Sequence, residues 1–426
     1  MTRQWFRLDT AGLIFPAVRS RDWANAFRVS MTLTEDIDPD ILQAAVDDLK
    51  PRFPSLYVRL KTGVFWHYLE DCGTSPAVRE DYAYPLTFMG IREVSRCCLR
   101  VLYYRNRIAV EYYHVLTDGT GGSIYLQTLA ARYLERRFGI TIPPTGQVLD
   151  FRAAPSEEEL EDSFHRHTGL RASSRREADA FRLTGTKTRD GFRYLITGIL
   201  PADKLLAAAH EHHCSVTVFL AAVMAEAVMG IQDERCPRRS QKPVKITIPI
   251  NMRRLYNSRT LRNFVLTLNL GVDPRNGDYS LYDLCQAIRH QLAAEATPQA
   301  MAGRIAANVL PQKNPAIRLA PLFIKNAVMG MVYASTGEKK GCLNVSNLGR
   351  VTLPESMQPY AERMEFIVGV QKSYPNNCAV LTLGNRTYIN MIRSIRETEL
   401  ERRFFSRLVE LGIPVEIESN DDGRSD

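Results

Sequence analysis

Apolar residues recur along this chain with two periods, and the switching between them predicts a mixed fold. Phe27, Val29, Met31 and Leu33 occupy every second position, the period of a strand with one buried face. Ile41, Leu42, Ala45, Val46 and Leu49 then make a helical stripe, opened by Asp38 as N-cap and Pro39 at the first helical position. Strands are expected at Tyr57–Lys61 and Val64–Leu69 about a Thr-Gly turn, and at Leu99–Tyr104 and Ile108–His114 about Arg105-Asn106. Leu126, Leu129, Ala130, Tyr133 and Leu134 define an amphipathic helix from Ser123, its expected N-cap, to near Phe138.

From about Ala153 to Asp190 the periodicity fades into charge, with Glu157-Glu158-Glu159 and Arg175-Arg176. This stretch reads as an exposed crossover. It divides the chain into residues 1–165, a charged link at 166–190, and residues 191–426. The second part opens with a strand near Tyr194–Leu200 and a helix led by Pro201-Ala202-Asp203. A further helix, capped by Ser215 or Thr217, carries Leu220, Val223, Met224 and Ala227. Val244, Ile246, Ile248 and Ile250 alternate up to Asn251, and Phe264, Leu266, Leu268 and Leu270 alternate after it. Helices are expected at Leu281–Glu295 and Pro315–Ala334, and strands at Cys342–Leu348, Arg363–Val370 and Cys378–Thr382. Gly384-Asn385 turns the last of these into Thr387–Ile392. Thr398 with Glu401 reads as a capping box for the final helix, with Gly412 past its end. Both parts mix hairpins with helices and lack regular βαβ alternation. That predicts an α+β class, two α/β two-layer sandwiches side by side with a crevice between them.

Composition narrows the function. At 426 residues, 45% hydrophobic and 24% charged, the chain is an ordinary globular protein too long for one small core. The net charge of +8 permits an anionic partner, such as a nucleotide-bearing cofactor or an acidic carrier protein. Its basic residues are dispersed and not interleaved with aromatics, so no nucleic acid is expected. The cysteines (Cys72, Cys97, Cys98, Cys214, Cys236, Cys285, Cys342 and Cys378) contain no C-x-x-C pair and read as reduced. The N-terminus lacks the apolar stretch of a signal peptide. The runs Val216–Ile231 and Leu319–Ala334 contain Glu226 and Lys325 and are shorter than a membrane span. A cytoplasmic chain with no membrane span is expected.

The richest chemistry lies in Tyr113-His114-Val115-Leu116-Thr117-Asp118-Gly119, between a strand and a helix. Strand parity puts His114 on the side of Ile108 and Val110, an imidazole able to accept a proton near neutral pH. Asp118 is placed to order the turn or to hold a buried cation, and Gly119 to allow positive φ. Other signals are weaker. Gly119-Thr120-Gly121-Gly122 fits neither phosphate-binding spacing and is followed by no lysine. His210, His213 and Cys214 share one expected helix face, yet no matching ligand set stands out elsewhere, so no metal is expected. His165 and His167 read as solvated.

The stretch around His114 resembles the His-His-x-x-x-Asp-Gly signature of the chloramphenicol-acetyltransferase and condensation-domain superfamily. Ile248-Pro249-Ile250-Asn251-Met252-Arg253-Arg254, Leu261-Arg262-Asn263-Phe264 and Asn344-Val345-Ser346-Asn347-Leu348-Gly349 resemble its alcohol-acetyltransferase-like branch, in order. The resemblance implies two similar halves flanking a solvent tunnel. It implies acyl transfer from a CoA or acyl-carrier-protein thioester to a hydroxyl, with acyl-CoA as co-substrate and no permanently bound cofactor. His114 matches the catalytic general base, and Asp118 a structural aspartate whose first-choice partner is Arg253, with Arg254 second. Ser346 and Asn347 are candidates for the oxyanion. Tyr113 replaces the first histidine of the signature, and with no Gly-x-Ser-x-Gly elbow a covalent intermediate is not expected. A monomer is expected, acting on an alcohol. The alternatives are amide formation on an amine, or a non-catalytic relative that binds an acyl carrier or a lipid.

Overall fold

Each alternating run becomes a strand, and the strands gather into three sheets in a computed structural model that describes residues 4–20, 23, 25–173, 177–188, 191–337 and 339–421. Arg175, Arg176 and Asp190 of the charged link lie outside the described residues. The five-stranded sheet has the order Ala361–Val368, Ala26–Leu33, Arg107–Tyr113, Leu99–Tyr104, Val78–Glu80. The seven-stranded sheet runs Val265–Val272, Val244–Asn251, Leu343–Val351, Asn376–Leu383, Arg386–Arg393, Tyr194–Pro201, Glu416–Ser419. Trp5–Arg7, His67–Asp71 and Val58–Thr62 form a small third sheet. The class is the expected α+β one, with helices covering each large sheet.

The first sheet is completed from far along the chain. Ala361–Val368 pairs antiparallel with Ala26–Leu33, placing Met364 opposite Met31 and Phe366 opposite Val29. The core of the first half accordingly includes Met357, Met364, Phe366 and Leu381 beside Phe27, Val29 and Tyr112. No local pattern reveals this, because periodicity gives a strand its faces and not its neighbour.

Helix starts follow their caps. Asp38 accepts from the Asp40 and Ile41 amides at the head of Pro39–Leu49, and Ser215, not Thr217, caps Val216–Arg235. That second helix runs on past Ile231 to 20 residues, long and apolar enough to cross a membrane by length and composition. It is instead a core helix, with Val218 to Ala225 buried against Leu281–Glu295, Glu399–Glu410 and the sheet.

Four expectations need correction. The helix expected over Pro315–Ala334 is two, Pro315–Leu319 and Leu322–Thr336, parted at Pro321, which lacks an N–H to continue the first. Before them stands an unforeseen helix, Pro298–Lys313, capped by Thr297, with Met301, Ile305, Ala306 and Val309 buried. Thr398 precedes Glu399–Glu410 but makes no side-chain cap. The charged stretch from Ala153 to Asp190 is not simply exposed: Phe164, Ala180 and Leu183 are buried, Arg52 clasps Glu159 with two hydrogen bonds (2.6 and 3.0 Å), and His167 stacks on Tyr256 at 4.5 Å.

One glycine of the helix Gly119–Phe138 is pressed against the far half. A Cβ on Gly121 would collide with Thr117 Oγ1 and lie 2.5 Å from the Leu261 carbonyl oxygen. Gly121→Ala is therefore expected to lower the unfolding free energy by about 1–3 kcal/mol, read from urea denaturation. An unchanged midpoint would mean that the segment around Leu261 yields freely.

Candidate active site

His114 stands immediately after the strand Arg107–Tyr113, its amide donating to the Asn25 carbonyl at 2.8 Å. The helix that follows begins at Gly119, four residues before the expected start, because Asp118 and not Ser123 is its N-cap. Ser123 lies inside the helix, buried and donating to Gln147 Oε1. Gly119 is required for close approach and not for positive φ. A Cβ there would sit 2.9 Å from Leu348 Cδ2 and 3.0 Å from Phe366 Cζ.

Both oxygens of Asp118 are fully used. Oδ1 accepts from the Thr120 and Gly121 amides at 3.1 and 3.2 Å. Oδ2 accepts from Arg253 Nη1 and the Phe264 amide, each at 2.8 Å. Arg253 lies in the short helix Met252–Tyr256 and is buried, whereas Arg254 is exposed. Arg253 Nε donates to the Thr260 carbonyl at 2.7 Å and Nη2 to the Arg262 carbonyl. With every lone pair committed, Asp118 has no capacity for proton transfer. Its role is to hold the helix start and the segment Thr260–Phe264 together.

That segment carries Asn263, which orients the histidine. Asn263 Nδ2 donates to the His114 carbonyl at 3.0 Å and to Asp9 Oδ2 at 3.1 Å, so its Oδ1 is the atom facing His114 Nδ1, at 3.1 Å. An amide oxygen only accepts, so Nδ1 carries the proton and Nε2 is left with its lone pair. Phe15 stacks on the imidazole at 4.5 Å and Phe27 meets it edge-on at 5.1 Å. Residues 9, 15 and 263 were not identified as site residues in the sequence. Asn263 stood in one of the resembling stretches, but nothing in sequence spacing joins Asp9 or Phe15 to position 114.

Burial sets the charges. Desolvation lowers the His114 pKa, and the nearby Asp118 carboxylate and Asn263 oppose it only in part, so the ring is neutral at pH 7. Asp9 is wholly buried, and desolvation lifts its carboxyl to about 6 against the opposing Arg262 guanidinium. Above that pH it is a carboxylate receiving the Gly12 amide (2.6 Å) and Asn263.

The other candidates are placed as follows. Tyr113 is buried in the core of the first half. Asn347 is held on its strand, donating to Thr217 Oγ1 at 3.0 Å and accepting from the Gly349 amide at 2.7 Å. Ser346 lies two residues before Leu348, whose side chain meets Gly119. The helix holding His210 ends at Glu211 and His213 has a left-handed backbone, so His210, His213 and Cys214 do not share a helix face. An open cleft of about 730 Å³ lies between strands of the two large sheets and is lined by Arg28, Thr32, Arg107, Thr197, Arg363 and Tyr388. His114 does not line it. It stands at the opposite end of the strand Arg107–Tyr113, roughly 20 Å along it.

Two half-molecules, each a sheet with helices, joined through an aspartate and an arginine beside a histidine, define a class of architecture. The chain has the fold of the chloramphenicol-acetyltransferase and condensation-domain superfamily. No protein-family model matches the chain, and no curated protein matches it in sequence. Solved structures do match in fold. Fusarium graminearum TRI101 complexed with ethyl coenzyme A superposes with a TM-score of 0.63 at 11% identity, over 97% of this chain and 100% of that one. The starter condensation domain of rhizomide synthetase RzmA, in complex with C8-CoA and Leu-SNAC, gives 0.60 at 13% identity, over 96% and 94%. Trichothecene 15-O-acetyltransferase TRI3 from Fusarium sporotrichioides gives 0.60 at 11% identity, over 96% and 94%.

Two outcomes follow from the buried charges. Arg253→Ala leaves Asp118 without its cation and is expected to cost about 3–5 kcal/mol, measured by denaturant unfolding. For Asp9, the raised folded pKa means that the folded chain keeps a proton that the unfolded chain has already released between pH 3.8 and about 6. Its contribution to stability is therefore largest at low pH and declines as pH rises through that window. Unfolding curves of Asp9→Asn taken across that range are expected to lack this decline.

Proposed function

We propose that the chain is an acyltransferase that moves an acyl group from a CoA or carrier-protein thioester to a hydroxyl acceptor, with His114 as general base. The observation that supports this reading is the orientation of one imidazole. Asn263 fixes the proton on Nδ1, and Nε2 keeps a lone pair on a ring already neutral at pH 7.

The proposed reaction needs no covalent enzyme intermediate. The acceptor hydroxyl gives its proton to His114 Nε2 as its oxygen bonds to the thioester carbonyl carbon, and the carbonyl becomes an oxyanion. As the carbonyl reforms, the carbon–sulfur bond breaks and the departing thiolate takes the proton back from Nε2, leaving an ester and a free thiol. Ser346, on the strand that presses Leu348 against Gly119, is the proposed donor to the oxyanion. The relatives crystallised with CoA species and the chain's charge of +8 support a CoA-borne donor. The same base serves an amine, and the fold shared with condensation domains favours that second reading. A passage at the junction of the halves, beside Phe15 and Phe366, is the proposed route for both substrates.

His114→Ala is expected to lower thiol release from acyl-CoA by about 10²–10⁴, with the melting temperature nearly unchanged. Full turnover in that variant would remove the assignment. The pH profile of kcat/KM is expected to rise and level off below about 6.5, since desolvation holds the His114 pKa under that value. Asn263→Ala, which frees the tautomer, is expected to lower kcat with little change in KM.

A further inference from the structure

The helix Leu322–Thr336 is built inside out. Its polar residues face the protein: Lys325 Nζ donates to the Phe65 and Arg318 carbonyls at 2.8 and 2.9 Å, and Asn326 lies 3.4 Å from His67 Nε2. Several of its apolar residues face water. Phe323 is 74% exposed and Met331 65%, with Ile324 and Val328 between them also exposed. The spacing of 323, 324, 328 and 331 sets the four along one side of the helix. With Lys325 turned toward the Phe65 and Arg318 carbonyls while Phe323 stands in water, the arrangement that water selects is reversed.

The apolar side does not stop at this helix. The Leu322 amide donates to the Val64 carbonyl at 2.9 Å, which fixes the turn Gly63–Trp66 beside the helix start. Val64 (72%), Phe65 and Trp66 there are exposed, as is Leu319 (72%) just before the helix. A contiguous apolar surface of this kind marks an interaction site.

We infer that this face docks on an anionic lipid bilayer. Charge selects that occupant: from Ala296 to Gly337 there is no aspartate or glutamate, and with Arg304 paired to Glu295 the segment still carries Lys313, Arg318 and Lys325. Composition agrees, since the exposed side holds Phe, Ile, Val and Met without interspersed hydrogen-bonding groups, flanked by a tryptophan, and a protein partner's site carries a polar rim. The apolar segment Leu322–Ser335 is too short to span a bilayer and long enough to lie within its interface. The face also adjoins the candidate site. Tyr333 stacks on Trp23 at 5.2 Å, Trp23 meets Phe15 edge-on at 6.4 Å, and Phe15 covers His114 at 4.5 Å. Resting on the acyl-transfer reading, the docked helix would deliver a lipophilic substrate from the bilayer to His114.

The test is flotation of the full chain with vesicles of phosphatidylcholine and phosphatidylglycerol. The unaltered chain is expected to float, less with pure phosphatidylcholine or in high salt. The double variant Phe323→Asp, Met331→Asp is expected to bind at least about tenfold more weakly while keeping its melting temperature. His114→Ala is expected to float like the unaltered chain, so failure of docking and failure of acyl transfer are read separately. Absence of flotation by the unaltered chain, or equal flotation of the double variant, overturns the proposal. So does a dimer in light scattering that the double variant splits, which would assign the face to a second copy of this chain.

Discussion

The structure depends on one carboxylate. Asp118 receives two amides from the helix it opens and two donors from the other half, a guanidinium and the Phe264 amide. A buried charge is tolerated only when its lone pairs are satisfied, so the bonds that neutralise Asp118 also fix the position of the segment Thr260–Phe264. Through that segment they fix Asn263, and through Asn263 the histidine. The aspartate thus acts on the histidine at one remove, by determining where the far half must lie.

A second chain of contacts runs in parallel. Asp9, near the N-terminus, accepts from the same Asn263 amide nitrogen that reaches the His114 carbonyl, and Phe15 from the same region covers the imidazole. Two distant stretches of sequence therefore converge on one ring, the far half through the ring's hydrogen bond to Asn263 and the N-terminal region through the stacking of Phe15. The arrangement commits Nδ1 of the ring to Asn263 and fixes the ring's plane between two aromatic side chains.

Much of this was legible in the sequence, for identifiable reasons. Strands such as Leu99–Tyr104 and the helix Leu281–Glu295 appear at their expected bounds because period and burial agree there. The Asp118–Arg253 pair is present in the structure, but it was reached through a resemblance and not through spacing. What could not be read was long-range. The pairing of Ala361–Val368 with Ala26–Leu33, the role of Asp9, and the use of Asp118 as a cap all depend on which segments meet in space. Gly119 looked like a turn residue because Asp-Gly usually is one; the side chains of Leu348 and Phe366 supply the actual reason. Pro298–Lys313 escaped notice because its apolar residues are sparse and one proline lies within it.

The strand Ala361–Val368 has a consequence for biosynthesis. Until it leaves the ribosome, Ala26–Leu33 has an open edge, with its N–H and C=O groups unpaired on one side. At about 5–20 residues per second that edge waits for some tens of seconds, long after its other neighbours have been made. The nascent first half thus keeps an unpaired strand edge, the feature that favours wrong pairing between chains, until this last strand arrives.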